Sequence, residues 1–211
     1  MRGAAASESR SVEERMNQIS RAIFAGLGIF ACMTWAAAAS TDGRAIDGAH
    51  SLLKVRVNKS GFFSAFGHNH EIEAPIESGE VAESGSPSVE LRVNARELRV
   101  LDPEASADTR AQVQKTMLGP QVLDTERFPK IHFQSTKVEA KGTDHWLVHG
   151  TLDLHGQSHP VTVDVALKDG VYRGTATLKQ TGFGITPVSV AGGTVKVKDE
   201  VKVEFEIALV K

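Results

Sequence analysis

The chain has 211 residues, enough for one globular domain with a hydrophobic core and a terminal extension. Hydrophobic residues make up 41% of it and charged residues 24%, which suits a folded domain. The formal net charge of −2 provides no basic excess, which excludes nucleic acids and anionic lipid surfaces as electrostatic partners.

The N-terminal segment has the pattern of a secretory signal peptide. An apolar run over residues 22–35 follows Arg15 and Arg21, and small residues at 36–40 provide a cleavage site for signal peptidase. We therefore predict a signal peptide over residues 1–40. The protein is then expected in the periplasm of a bacterium or outside the cell.

Two details of this segment leave alternatives open. Acidic residues precede Met16 and do not suit the cationic start of a signal, which favours translation from Met16. Lipid attachment at Cys32 is less favoured, because Phe30 fits the segment that precedes a lipidated cysteine poorly. A retained anchor is also less favoured, because the apolar run is shorter than the about 20 residues that cross a bilayer. Cleavage would leave a domain over residues 41–211 with no cysteine, no membrane span and a net charge of −3.

The first part of this domain alternates apolar and polar residues with the period of β-strands. The alternation covers residues 50–58, 71–77 and 89–95, with a shorter strand at 80–83 between turn signals. The densest aromatic cluster of the sequence occupies residues 62–70. These patterns predict four strands before residue 100.

One helix interrupts the strands. Asp102-Pro103-Glu104 is typical of a helix start, because the Asp side chain can cap amide groups and Pro is tolerated in the first turn. Gly119-Pro120 ends the pattern. Its apolar stripe, with Val113 and Met117 four residues apart, is thin, so we expect a lid or crossover at one end of the strands.

Strand patterns fill the rest of the chain. Residues 123–167 contain three of them, and the last two are joined by a turn at 155–160 in which Pro160 opens the next strand. Two more follow at 172–178 and 201–210. About eight strands, one short helix and no parallel crossover predict an all-β, antiparallel, closed or nearly closed barrel.

The predicted inner faces contain small residues among larger apolar ones. These are Ala74, Ala95, Ser135, Gly150 and Ala176. A barrel of about eight strands can be filled by its own side chains or can contain one small ligand. The small residues favour a cavity, and the alternative is that bulky neighbours fill the gaps.

Four segments together resemble the YceI-like family of exported polyisoprenoid-binding proteins, which have a lipocalin-like barrel. They are IDGAHS at residues 46–51, RFPKIHFQS at 127–135, GTLDLHGQSHPV at 150–161 and FGI at 183–185. The helix replaces the family's usual "R-D-x-H-L" segment. Asp153 and His159 replace the common Thr and Lys of the hairpin.

The resemblance implies a binding protein, not an enzyme, that holds one long apolar lipid, a polyisoprenoid or quinone-like molecule, and needs no other cofactor. At about 0.8 kcal/mol for each buried methylene, a dozen exceed the about 8 kcal/mol of micromolar affinity before association costs. We expect a wall or mouth built from Phe62, Phe63, Phe66, Met117, Phe133, Trp146 and Phe183, with His68 and His70 as a polar mouth. A homodimer is left open.

Two other functions stay open at this point. His68 and His70 lie two apart and would share a strand face, so they could bind a metal or haem if His50 or Glu71 joined them. A hydrolase is the second alternative. The sequence has no Gly-x-Ser-x-Gly or His-Glu-x-x-His motif, and the adjacent Ser158 and His159 would point to opposite faces.

Overall fold

The alternating segments form strands in a computed structural model of the chain, which describes residues 43–60, 69–190 and 195–211. The described residues form twelve strands, one α-helix and three short 3-10 helices. The strands are β1 (Gly43–Ala45), β2 (Leu52–Ser60), β3 (His70–Glu73), β4 (Ile76–Ala82), β5 (Ser88–Asn94), β6 (Arg99–Val100), β7 (Lys130–Gly142), β8 (His145–Leu154), β9 (Gln157–Lys168), β10 (Val171–Lys179), β11 (Ser189–Val190) and β12 (Val195–Ala208). Helix α1 is Ala107–Leu118, and the 3-10 helices are Gly48–His50, Ala95–Glu97 and Gln180–Phe183.

All neighbouring strands are antiparallel, in the order β1-β4-β5-β7-β8-β9-β10-β12-β2-β3-β6. The sheet curls so that the end of β12 meets β1: Asp47 N–H donates to the carbonyl of Ala208 at 2.8 Å, and Val210 N–H to that of Ala45 at 2.9 Å. The consecutive strands β1 and β2 together form one interrupted strand of the wall. Strands β3 and β4 form another. With the two-residue β6 and β11 set aside, eight strands build the wall, which confirms the predicted lipocalin-like barrel.

The connections between the strands lie at the two ends of the barrel, and helix α1 lies at one of these ends. The turns β4–β5, β7–β8 and β9–β10 define the hairpin end. Helix α1 and the turn between β8 and β9 lie at the opposite end of the barrel, which we call the helix end. That turn contains only His155 (φ 52°) and Gly156 (φ 73°), the left-handed pair of a type I′ hairpin. Pro160 therefore does not open the strand as predicted but lies within β9, opposite Thr151.

Helix α1 begins four residues later than the sequence predicts. Its N-cap is Ser106, whose hydroxyl accepts from Thr109 N–H at 3.2 Å. Asp102 does not cap the helix, because its carboxylate is buried and bonded to β3 instead. The predicted helix start was wrong because Asp102, which the local sequence pattern assigns to the helix cap, forms hydrogen bonds with the distant residues His70 and Glu71 instead.

Gln114 fastens helix α1 to the barrel. Its side-chain carbonyl accepts from Val100 N–H at 2.7 Å, and its amide donates to the carbonyl of Leu98 at 2.7 Å. Met117, one turn further, is buried with Leu98 and Val100 in a core cluster. The helix thus lies over the end of the barrel, as the thin apolar stripe predicts.

Several predictions fall outside the described residues. They are the signal peptide over 1–40, the start at Met16, the lipid attachment at Cys32, and the site residues Phe62, Phe63, Phe66 and His68. Among the residues that the structure describes, no helix is both long and apolar enough to cross a membrane.

Candidate functional site

The barrel encloses a cavity of about 340 Å³. Each of the eight wall strands contributes an inward side chain, because alternate residues of a strand face the same side. Examples are Val55 on β2, Ile72 on β3, Leu91 on β5, Phe133 on β7, Val148 on β8, Val163 on β9, Ala176 on β10 and Val203 on β12. The alternating faces predicted for these strands are confirmed, and they produce an apolar wall.

The structure places some of the predicted site residues on the cavity wall and one of them away from it. Met117, Phe133 and Trp146 line the cavity. Phe183 is buried at 3% exposure but is not among the residues that line it, and its ring packs edge-on against His159 at 5.1 Å. Phe183 therefore contributes to the packing of the helix end and not to the cavity wall.

Two aromatic rings occupy the space above glycines of neighbouring strands. A Cβ atom on Gly150 would lie 2.4 Å from the ring of Phe133, and one on Gly174 would lie 2.5 Å from the ring of Phe205. The gap that the sequence suggests at Gly150 is therefore filled by Phe133. Phe205 lines the cavity and was not predicted as a site residue, although its place on the apolar face of β12 was a signal for it.

At the helix end, His70 forms a pair with Asp102. The Nδ1 atom of His70 lies 2.6 Å from one carboxylate oxygen of Asp102, and the other oxygen accepts from Glu71 N–H at 2.8 Å. His70 is opposite Val57, which lines the cavity, so both residues share the inner side of the sheet. Sequence reasoning missed Asp102 because its Asp-Pro context indicates a helix cap.

The hairpin end of the cavity is polar. Glu83, Ser88 and Tyr172 line it there, and the Tyr172 hydroxyl donates to the Glu83 carboxylate. The guanidinium of Arg44 lies 3.5 Å from the other carboxylate oxygen of Glu83. Burial, followed by the bond to Glu83, raises the pKa of Tyr172 well above its ordinary value. The ring of Tyr172 also packs against Trp146 at 5.9 Å.

The alternative chemistries find less support in the geometry. Within residues 43–60, 69–190 and 195–211, no three His, Cys, Asp or Glu side chains come together in a way that could bind a metal ion. Ser158 donates to Asp153, whereas His159 packs against Phe183, so these neighbours do not form a nucleophile–base pair. The ring of His155 bonds to the carbonyl of Phe183 at 3.0 Å.

The sequence as a whole matches one known domain. A family model described as the YceI-like domain covers residues 45–209, from the closing strand β1 to the end of β12. The chain belongs to the YceI-like domain family. The matched range contains every described residue that lines the cavity.

Known YceI-like relatives are distant in sequence. A UPF0312 protein of Shewanella sp. (strain W3-18-1) is 27% identical over 169 residues, which cover 75% of this chain and 84% of that protein. A UPF0312 protein of Vibrio cholerae serotype O1 (strain M66-2) is 26% identical over 190 residues, covering 84% and 94%. Neither of these two names states an enzymatic activity.

A solved structure shows the same fold. The crystal structure of BcnA from Burkholderia cenocepacia has a TM-score of 0.59 and 17% sequence identity to this YceI-like chain. The match covers 79% of this chain and 99% of BcnA. At this identity the likeness concerns the barrel alone.

Proposed function

We propose that this protein is an exported binding protein that holds one long apolar lipid, a polyisoprenoid or quinone-like molecule, inside its barrel. The observation that carries the proposal is the cavity, to which all eight wall strands contribute apolar side chains. Its volume of about 340 Å³ lies at the lower end of the range of about 300–1,000 Å³ that small-molecule sites occupy. Membership of the YceI-like family supports the same assignment.

The shape and lining of the site suit a chain-like molecule better than a compact polar one. Along the middle of the barrel the ligand would contact apolar side chains, such as those of Val148, Val163 and Val203. Each buried methylene contributes about 0.8 kcal/mol, so affinity would grow with chain length without a charged anchor. A water-soluble carrier of this kind shields the lipid tail during passage between membranes.

Export is the second part of the proposal and rests on the N-terminal pattern. The expected mature protein begins after the small residues at 36–40. Intact-mass measurement of the protein recovered from the periplasm tests it. A mass that still includes residues 1–35 would contradict cleavage.

A cavity-filling substitution tests the binding site. Ala176 lines the cavity, whereas Thr177, the next residue of β10, is exposed. We expect Ala176→Phe to weaken the binding of geranylgeraniol at least tenfold, because the added ring takes up cavity volume, and Thr177→Phe to have no effect. Fluorescence of Trp146, the single tryptophan of residues 41–211, reports binding.

The milder Ala176→Leu guards against a variant that does not fold, and near-UV circular dichroism checks packing in all three. Equal affinity of the Ala176 and Thr177 variants, both folded, would place the ligand outside the barrel.

A further inference from the structure

The two ends of the cavity differ in exposure and in chemistry. At the hairpin end, the lining residues Glu83 and Ser88 are exposed to solvent. At the helix end, the lining residues Leu98, Met117 and Ile185 are buried, each at 6% exposure or less. The described part of the barrel therefore opens to water at the hairpin end. Three of the four polar residues that line the described cavity, Glu83, Ser88 and Tyr172, lie at this opening, and the fourth, Gln180, lies at the helix end.

We infer that the hairpin end is a headgroup site in which Glu83, held by Tyr172 and Arg44, selects a lipid whose head is an uncharged hydroxyl donor, such as a prenyl alcohol or phenol. This inference rests on the proposed function, because the apolar tail of the same molecule would occupy the cavity. It adds the class of head and the orientation of the ligand, with the tail towards helix α1.

The hydrogen-bonding capacity of the site favours a donor. Tyr172 donates to one carboxylate oxygen of Glu83, and Arg44 lies beside the other. A carboxylate offers about four acceptor positions, so Glu83 retains capacity for a further donor. Arg44 is also engaged, since its guanidinium donates to the carbonyl of Val210 at 3.1 Å. A ligand hydroxyl can thus be accepted by Glu83 without breaking an existing bond.

The charge of the site disfavours an anionic head. Arg44 is the cation in contact with the Glu83 carboxylate, and Asp144 adds a second negative charge that acts on Tyr172. A phosphate would therefore meet one positive and two negative side chains. Phosphate recognition usually relies on a surplus of Arg or Lys donors, which is the opposite balance. The uncharged alcohol avoids this repulsion.

Three matched probes separate the contributions of the tail, the donor and the charge. Geranylgeraniol contains the donor, its methyl ether has the same tail without the donor, and its monophosphate replaces the hydroxyl with charge. Trp146, which contacts Tyr172, reports their binding by fluorescence. We expect the alcohol to bind about fivefold more tightly than the ether, the size of one hydrogen bond to a partly exposed carboxylate, and the monophosphate to bind more weakly than the alcohol.

Variants of Glu83 then assign the preference to this site. Glu83→Leu should bring the alcohol and the ether to equal affinity, and Glu83→Gln should improve binding of the monophosphate by removing a negative charge. Glu77→Leu is the control, because Glu77 is exposed near the start of β4, at the other end of the strand that precedes Glu83.

The results also separate the two proposals. Equal affinity of the wild type for alcohol and ether, a monophosphate that binds at least as tightly as the alcohol, or a preference unchanged in Glu83→Leu would overturn the headgroup site and leave the lipid-binding barrel intact. Failure of all three probes to bind would overturn both.

Discussion

The ring of Phe133 lies across Gly150 of the neighbouring strand, so close that a Cβ atom on the glycine would come within 2.4 Å of it. The pair sets the width of the cavity on this side of the barrel, because the ring fills the space that a side chain at position 150 would need. Gly174 and Phe205 repeat the arrangement across β10 and β12. The aromatic walls of the site therefore depend on two glycines that contain no binding group.

Substitution of Gly150 by Ala should destabilise the protein by roughly 1–3 kcal/mol, the usual cost of overpacking. Besides the ring, the carbonyl oxygen of Gln134 would lie 2.6 Å from the new methyl group, so the backbone must also move. Urea unfolding measures the loss. Gly142→Ala is the control, because nothing lies within 4 Å of its added methyl group.

Adding Phe133→Leu to the Gly150→Ala variant should recover part of that stability, since the smaller side chain makes room for the methyl group. A double variant whose loss equals the sum of the single losses would show that the two residues do not interact.

Removal of the Asp102 carboxylate should lower the free energy of unfolding by about 1–3 kcal/mol, because Glu71 N–H and His70 lose their acceptor in a nearly dry site. The Asp102 side chain is 2% exposed. Asp102→Ala should cost more than Asp102→Asn, which keeps one acceptor oxygen for Glu71. The exposed Glu104→Ala is the control. Equal stability of the three variants would contradict a structural role for the pair with His70.

The Gln114 contacts predict that Gln114→Leu loosens α1 from the barrel. The N–H of Val100 and the carbonyl of Leu98 would both lose their side-chain partner, at a cost of about 1–3 kcal/mol. Hydrogen exchange of Val100 N–H should become faster by at least tenfold. Gln112→Leu, two residues earlier on the exposed side of the helix, should leave exchange at Val100 unchanged.

Tyr172 is the single tyrosine of the chain, so its ionisation can be followed by tyrosinate absorbance. We expect the folded protein to show little tyrosinate at pH 10, near the ordinary pKa of about 10, because burial and Glu83 raise the pKa of Tyr172. In urea the residue should titrate normally.

The sign of the linked stability change follows from the raised pKa. The contribution of Tyr172 to stability is fully present below the unfolded pKa of about 10 and is lost as the pH rises through the higher folded value. Tyr172→Phe should therefore flatten the alkaline decline of the unfolding midpoint. A folded-state titration that coincides with the one in urea would mean that the hydroxyl is neither buried nor bonded to Glu83.

The barrel could be predicted from the sequence because the alternation of apolar and polar residues within each wall strand identifies the face that points inward. Val161, Val163 and Val165 alternate with polar residues, and they line the cavity as that alternation requires. The start of α1 could not be predicted. Asp102 has the chemistry of a helix cap, and only the return of the chain beside β3 shows that His70 is its partner, 32 residues earlier.

The site was predictable in kind but not in detail. Phe133 and Trp146 follow from the apolar pattern, yet whether Gly150 leaves a gap depends on the ring of a neighbouring strand. The polar opening was missed altogether, because Arg44 and Tyr172 come from two separate strands, Glu83 comes from a turn, and no local motif connects them. Barrel closure alone brings them together.

Organic extraction of the natively purified protein, followed by mass spectrometry, tests the central claim most directly. We expect close to one polyprenyl or quinone-like lipid for each chain, and its loss from the folded Ala176→Phe variant but not from Thr177→Phe. A wild-type barrel that yields no lipid after purification and accepts none when geranylgeraniol is added would contradict the assignment.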